Sequence, residues 1–271
     1  MVKCSRKSLS LADLWVTSHD KLSDFYLSSW QRSESPVPMF AVRLLLAAVA
    51  AGILIWSLVS GSSPHWLIYL TNWGLLLVTM MTLSGLLISF MTLFTTVEDE
   101  DVLPWYVSMY WFINNIAISI AIMITVLYWI LLFDPEQRQD DNPVSFWLDV
   151  ATHGVNSCIA VVELLASRTP VRLLHVYQPL GIGLWYAAFS GIYYIAGGTD
   201  SNGNLFIYEV LDWQQGSRAG IVVAASAAGL IIIYALVWAT ALCREKLSLA
   251  TVRTTSHTLH IVTPDSHTRI V

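Results

Sequence analysis

Five residues in this chain have the types and spacing of a nucleophilic site: Thr71, Asn72, Asp149, His153 and Asn156. A hydroxyl near an imidazole near a carboxylate is an arrangement used for nucleophilic catalysis. Thr71 would attack. His153 would take its proton, and the imidazole must be neutral to do so. Asp149 stands four residues before His153, about one helical turn away, and could orient the ring. Asn72 or Asn156 could donate to an oxyanion. A plainer reading stands beside this one. A threonine in a membrane helix often bonds only its own backbone, and such groups can form a satisfied polar seam between helices.

The histidine sits in Ser145–Ala166, SFWLDVATHGVNSCIAVVELLA. This stretch is long and apolar enough to span a bilayer as a helix. At about 100° per residue, Asp149, His153, Asn156 and Glu163 fall within a stripe roughly 80° wide. Lipid cannot satisfy such a stripe, so it must face protein or a water-filled cavity. Thr71 lies near the start of another apolar stretch that opens at Trp66. At 1.5 Å per residue the threonine and histidine lie roughly 8 and 12 Å below their helix starts. If the two helices are neighbours entering from the same side, the two side chains can meet.

Composition agrees with a membrane bundle. The 271 residues are 55% hydrophobic and 12% charged, with a mean hydropathy of +0.60. A soluble domain usually carries about 25% charged residues. We expect an all-α, polytopic transmembrane bundle of about six helices. The expected organisation is a cytosolic segment over 1–37, a transmembrane domain over 38–243 and a disordered cytosolic tail over 244–271. The spans are expected near 39–59, 66–94, 105–133, 145–166, 178–196 and 219–242. Arg43, near the start of the first, could snorkel to the interface. No inverted repeat or pair of broken short helices points to a transporter.

Lys3, Arg6, Lys7, Lys21 and Arg32 precede the first span, Arg168 and Arg172 follow the fourth, and Arg244, Lys246, Arg253 and Arg269 follow the last. The opposite side has Arg138 and Arg218. The positive-inside rule therefore puts both termini in the cytosol. The plasma membrane is the expected location, with the endoplasmic reticulum as the alternative. Between the fifth and sixth spans lies GGTDSNGNLFIYEVLDWQQGS, in which turn signals alternate with apolar and aromatic residues. It reads as an exoplasmic hook that caps the bundle. Cys4, Cys158 and Cys243 suggest no disulfide framework. His257, His260 and His267 have weak metal-ligand spacing, and no metal or other cofactor is expected. The net charge of −5 comes without a long Lys/Arg run, so no nucleic-acid partner is expected. Membrane lipids are the expected partners, and no protein partner is indicated.

Several separated motifs occur in one order: LTNWG at Leu70–Gly74, HGVNS at His153–Ser157, PVRLLHVYQPL at Pro170–Leu180, and YYIAGGTD through IYEVLDW, from Tyr193 to Trp213. Together they resemble the rolling stone family of insect and other invertebrate membrane proteins, over roughly residues 20 to 245. That resemblance implies a role in myoblast fusion or muscle development. More distantly, the chain is similar to the androgen-induced-gene and androgen-dependent tissue-factor-regulating proteins. Those are multi-pass threonine hydrolases that cleave fatty acid esters of hydroxy fatty acids. The resemblance places their catalytic threonine and histidine on Thr71 and His153. Two readings follow from it. One is a cell-surface protein of cell–cell fusion, and the other is an intramembrane lipid-ester hydrolase.

Overall fold

A computed structural model describes residues 14–16, 19–61, 63–95, 103–133 and 143–253. The acidic loop at Glu98–Asp101, Arg138, Cys4 and the tail histidines lie outside them. Within the described residues the chain forms six long helices: α1 (Val37–Ser60), α2 (Leu70–Met91), α3 (Trp105–Leu132), α4 (Val144–Ala166), α5 (Tyr177–Ile195) and α6 (Gly216–Ser248). Helices α1 to α4 and the last helical segment are long and apolar enough to cross a membrane. The fifth helix, α5, is apolar but interrupted by Gln178, Pro179 and several tyrosines.

Local chemistry sets the ends. Pro36 and Pro38 flank the first residue of α1, where a missing N–H costs nothing. Gly61 closes α1, its N–H donating to the Ser57 carbonyl at 2.9 Å. The expected second span does not start as an α-helix. Trp66–Ile68 forms a 3₁₀ turn, and α2 begins only at Leu70. The Tyr186 hydroxyl on α5 donates to the Ile68 carbonyl at 2.8 Å and ties that turn to the bundle. Thr71 is thereby placed in the first turn of α2 rather than in its interior.

Helix α3 is the centre of the bundle and packs against α2, α4, α5 and α6. Its buried face runs from Val107 and Trp111 through Asn114, Ala117, Ile118 and Ala121. Gly85 lets α2 approach closely. A Cβ there would stand 3.0 Å from the Tyr110 ring and 3.1 Å from Arg43 Nε.

Arg43 does not snorkel to the interface. It is 0% exposed and is the hub of a polar knot. Its Nη2 donates to Glu163 Oε1 at 2.8 Å and to the Tyr110 hydroxyl at 2.7 Å, and its Nε donates to Glu163 Oε1 at 3.1 Å. Its Nη1 lies within bonding distance of the Phe25 and Gly85 carbonyls and the Ser89 hydroxyl. The Tyr110 hydroxyl donates to Glu163 Oε1 at 2.7 Å. This knot joins α1, α2, α3, α4 and the segment before α1. Burial forbids an unpaired charge, so the guanidinium needs these partners together.

The segment before α1 is docked on the bundle. Ser29 N–H donates to the Ala166 carbonyl at 2.8 Å, and Arg168 N–H to the Leu27 carbonyl at 3.1 Å. The expected disordered tail also begins too early. Helix α6 continues through Ser248, and a π turn carries it on to Arg253. Arg244 is 4% exposed and donates to the Leu164 and Thr169 carbonyls at 2.6 and 3.0 Å. Its charge reads as a helix end in the sequence, yet it clamps α6 onto the loop after α4.

Candidate functional site

At the opposite end of the bundle from the Arg43 knot, Thr71 and His153 meet. Thr71 Oγ1 lies 3.1 Å from His153 Nε2. The histidine is 8% exposed and Thr71 is half-buried. Around the histidine, α4 departs from α-helical geometry. Ala151–Val155 forms a π turn, a local widening often found at functional sites. Such a turn loosens backbone carbonyls, and in a membrane these must find other partners. Thr125 on α3 donates its hydroxyl to the His153 carbonyl at 2.5 Å. Ser157 donates to the Gly154 carbonyl at 2.9 Å.

The imidazole is held from three sides. Its Nδ1 lies 3.0 Å from the backbone carbonyl of Asp149 and 3.1 Å from the Thr152 hydroxyl. The Asp149 carboxylate is farther, at 3.8 Å. A carbonyl only accepts, so Nδ1 carries the proton and Nε2 presents its lone pair to Thr71. The ring of Tyr128 stacks on the imidazole, with centroids 3.5 Å apart and planes 5° from parallel. Tyr128 itself opens a π turn at the end of α3, Tyr128–Leu132. Two π turns thus face each other across the histidine.

The expected supporting residues divide. Asp149 is at the site, but its backbone carbonyl holds the ring more closely than its carboxylate does. Asn72 lines the cavity beside Thr71, yet its Nδ2 donates to the Trp66 carbonyl at 2.6 Å. That bond braces the 3₁₀ turn. Asn156 is 3% exposed with its amide towards Gly74 on α2, and is not among the residues lining the cavity. Glu163 shares the stripe on α4 but belongs to the Arg43 knot at the other end.

A residue of the hook completes the site. Tyr208 packs edge-on against Tyr69, with ring centroids 5.8 Å apart. Tyr208 and Thr71 line the same space at the start of α2. The hook that carries Tyr208 is well anchored. Trp213 donates to the Ser190 hydroxyl at 3.0 Å and lies over Gly191 of α5. Asp212 accepts the Gln214 N–H at 2.9 Å. Asp200 accepts from the Asn202 and Asn204 N–H groups at 2.8 Å and from the Asn204 side chain at 2.9 Å. Burial pushes the Asp200 carboxyl up, but these bonds outweigh it and hold the carboxyl below its ordinary range.

Two cavities meet at Thr71. The first is a vestibule of about 460 Å³ between the starts of α2 and α4, where Ser57, Asn72, Asp149, Thr152 and His153 stand among apolar and aromatic side chains. The second is a narrow apolar slot of about 120 Å³ between α3, α5 and α6. Thr71, Tyr128, Leu132 and Tyr208 line both. The hydroxyl therefore sits where a space with several polar side chains joins an almost wholly apolar one.

The model of the family described as protein rolling stone matches residues 1–263. The chain belongs to the rolling stone family. It is a multi-pass membrane protein of that family. The curated rolling stone protein of Drosophila melanogaster is 27% identical over 211 residues, which are 74% of this chain and 76% of that one. No solved structure matches the chain. The rolling stone match extends over both Thr71 and His153, and over the hook that carries Tyr208.

Proposed function

We propose that this chain is an intramembrane hydrolase of lipid esters, with Thr71 as nucleophile and His153 as general base. The observation that carries the reading is the 3.1 Å contact between Thr71 Oγ1 and a histidine nitrogen whose partner nitrogen is held by a carbonyl. The Thr71 hydroxyl attacks the ester carbonyl as His153 Nε2 takes its proton. The C–O bond to the alcohol breaks, and His153 returns the proton to the leaving oxygen. Water then attacks the acyl-threonine, again losing a proton to His153. The acid leaves and Thr71 is restored.

Asn156 lies off the cavity, and Asn72 spends one of its two amide protons on the Trp66 carbonyl. The Tyr208 hydroxyl takes the role of oxyanion donor, helped by the positive end of the α2 dipole, within whose first turn Thr71 stands. The apolar slot, and a vestibule that carries the polar side chains, suit a substrate with one apolar half and one half bearing polar groups. Lys/Arg placement supports cytosolic termini, which put the site in the exoplasmic leaflet of, by preference, the plasma membrane. The test is turnover of membrane lipids by purified protein. Ester products released by wild type and absent with Thr71→Ala support the reading. Identical lipid profiles contradict it.

Family membership favours a second reading, a role in myoblast fusion without chemistry. Fusion restored equally by wild type and Thr71→Ala would favour that reading over the first.

A further inference from the structure

The two cavities at Thr71 differ in chemistry, and each constrains one half of the substrate. The slot is walled by Ile120, Met123 and Leu127 of α3, Leu180 and Leu184 of α5, and Leu230 of α6. It exists because small residues face each other across the α5–α6 contact. Gly183 lines it on α5, and Ser226 and Ala227 line it on α6. A Cβ at Gly183 would already stand 3.3 Å from Leu230 Cδ2. An apolar void of this kind is unfavourable when empty, since its walls lose contacts and water gains no partners there.

The vestibule carries several polar side chains on a largely apolar lining, and it is almost uncharged. No Lys or Arg is among the described residues that line it. Among the described residues that line it, the one carboxylate is that of Asp149, 3.8 Å from His153 Nδ1 and beyond hydrogen-bond reach of that nitrogen. An anionic group entering the vestibule meets no cation and is repelled by Asp149. A cationic group meets one carboxylate, with no second among the described lining residues to share its charge. Hydroxyls suit the space, because Ser201 offers a donor and acceptors, and Ser57, Ser63 and Thr152, though bonded to Trp66, His65 and His153, keep part of theirs.

We propose that the substrate is a lipid ester with the first few carbons of an unbranched acyl chain in the slot and an uncharged, hydroxyl-bearing alcohol of the glycerol kind in the vestibule. This rests on the hydrolase reading above, and it excludes esters whose alcohol half ends in a free carboxylate. Gly183 and Ala227 then decide whether a longer chain can pass beyond those first carbons. The chain runs from the carbonyl at Thr71 between α5 and α6, and the released alcohol leaves through the vestibule, where His153 has protonated it.

The experiment uses the full chain in nanodiscs. Palmitoyl glycerol, butyryl glycerol and the palmitoyl ester of a hydroxy fatty acid are compared as substrates. Wild type should favour palmitoyl glycerol over the carboxylate-bearing ester by about tenfold or more, the range in which pocket contacts discriminate. Gly183→Leu should lower turnover of palmitoyl glycerol about tenfold while sparing butyryl glycerol. Ala227→Leu gives the same test at a second position in case the first variant folds poorly. A preference for the carboxylate-bearing ester overturns the proposal, as does an unchanged chain-length profile in both variants. A photoreactive palmitoyl glycerol gives a readout that needs no catalysis. Crosslinks to α3, α5 and α6 that vanish in Ala227→Leu support the slot even if Thr71 turns over nothing, and crosslinks elsewhere overturn it.

Discussion

At the residue scale the site turns on which nitrogen of His153 carries the proton. The Asp149 carbonyl and the Thr152 hydroxyl hold Nδ1, so Nε2 is left to act on Thr71. His153→Gln keeps a hydrogen bond to Thr71 but no base, and turnover should fall at least about 10²-fold. Asp149→Asn leaves the backbone carbonyl in place, so its effect should stay within about tenfold, far below that of losing the base. A steady-state assay of both variants checks the order, and an Asp149→Asn loss as large as His153→Gln would contradict it. Tyr208→Phe removes an oxyanion donor and should cost about 10²-fold in kcat with the protein still folded. Thr71 and His153 were legible in the sequence because each is a polar residue in an apolar span. Tyr128 was visible only as one of several polar residues on its span. Its parallel stacking on the imidazole depends on two π turns, which no periodicity announces. Tyr208 was hidden for another reason: it lies far away in sequence, in a loop whose aromatic residues read as a cap.

At the element scale the bundle is held by an ionic knot at one end and a folded hook at the other. Arg43→Leu strands the Glu163 carboxylate in a buried place, and should destabilise the protein by about 3–5 kcal/mol. Arg43→Leu combined with Glu163→Leu should lose less than the single change, because no charge is then left unpaired. Thermal unfolding in detergent would compare the two. Equal or greater loss in the double variant would show that packing, rather than charge, carries the effect. Arg43 looked like an interfacial residue in the sequence because only its place in the span is visible there. Its partners come from four other segments. The hook gives a pH prediction. The Asp200 carboxyl is held below its ordinary range, so its contribution is complete above the unfolded value of about 3.9 and lost as pH falls through the lower folded value. Protection of the Asn202 and Asn204 amides, corrected for intrinsic exchange, should therefore be flat from neutral pH down to about 5. Loosening within that window would place the carboxyl higher than these bonds imply. Asp200→Ala should loosen the hook at every pH.

At the scale of the whole molecule the chain is an all-α bundle with its site near one face. The span pattern was legible because apolar runs set the helices. The ends were less so. Trp66–Ile68 reads as part of an apolar run and folds as a 3₁₀ turn, while α6 outruns its apolar stretch because Arg244 and Ser248 find buried partners. The Lys/Arg distribution supports the proposed orientation, with the Arg43 end towards the cytosol and the Thr71 end outside. Epitope tags fused before Met1 and after Val271 should be reached by antibody only after permeabilisation, while a tag inserted beside Gly203 in the hook should be reached on intact cells. Labelling of either terminus on intact cells would reverse this orientation.

The central claim is that Thr71 is an activated nucleophile. Purified protein should be treated with an alkyl fluorophosphonate and mapped by peptide mass spectrometry. An activated Thr71 hydroxyl displaces fluoride and acquires a phosphonyl adduct. The account predicts that adduct on Thr71 in wild type, none in Thr71→Ala, and a strong reduction in His153→Gln. Wild-type protein that stays unmodified, or an adduct that persists in Thr71→Ala, would contradict it.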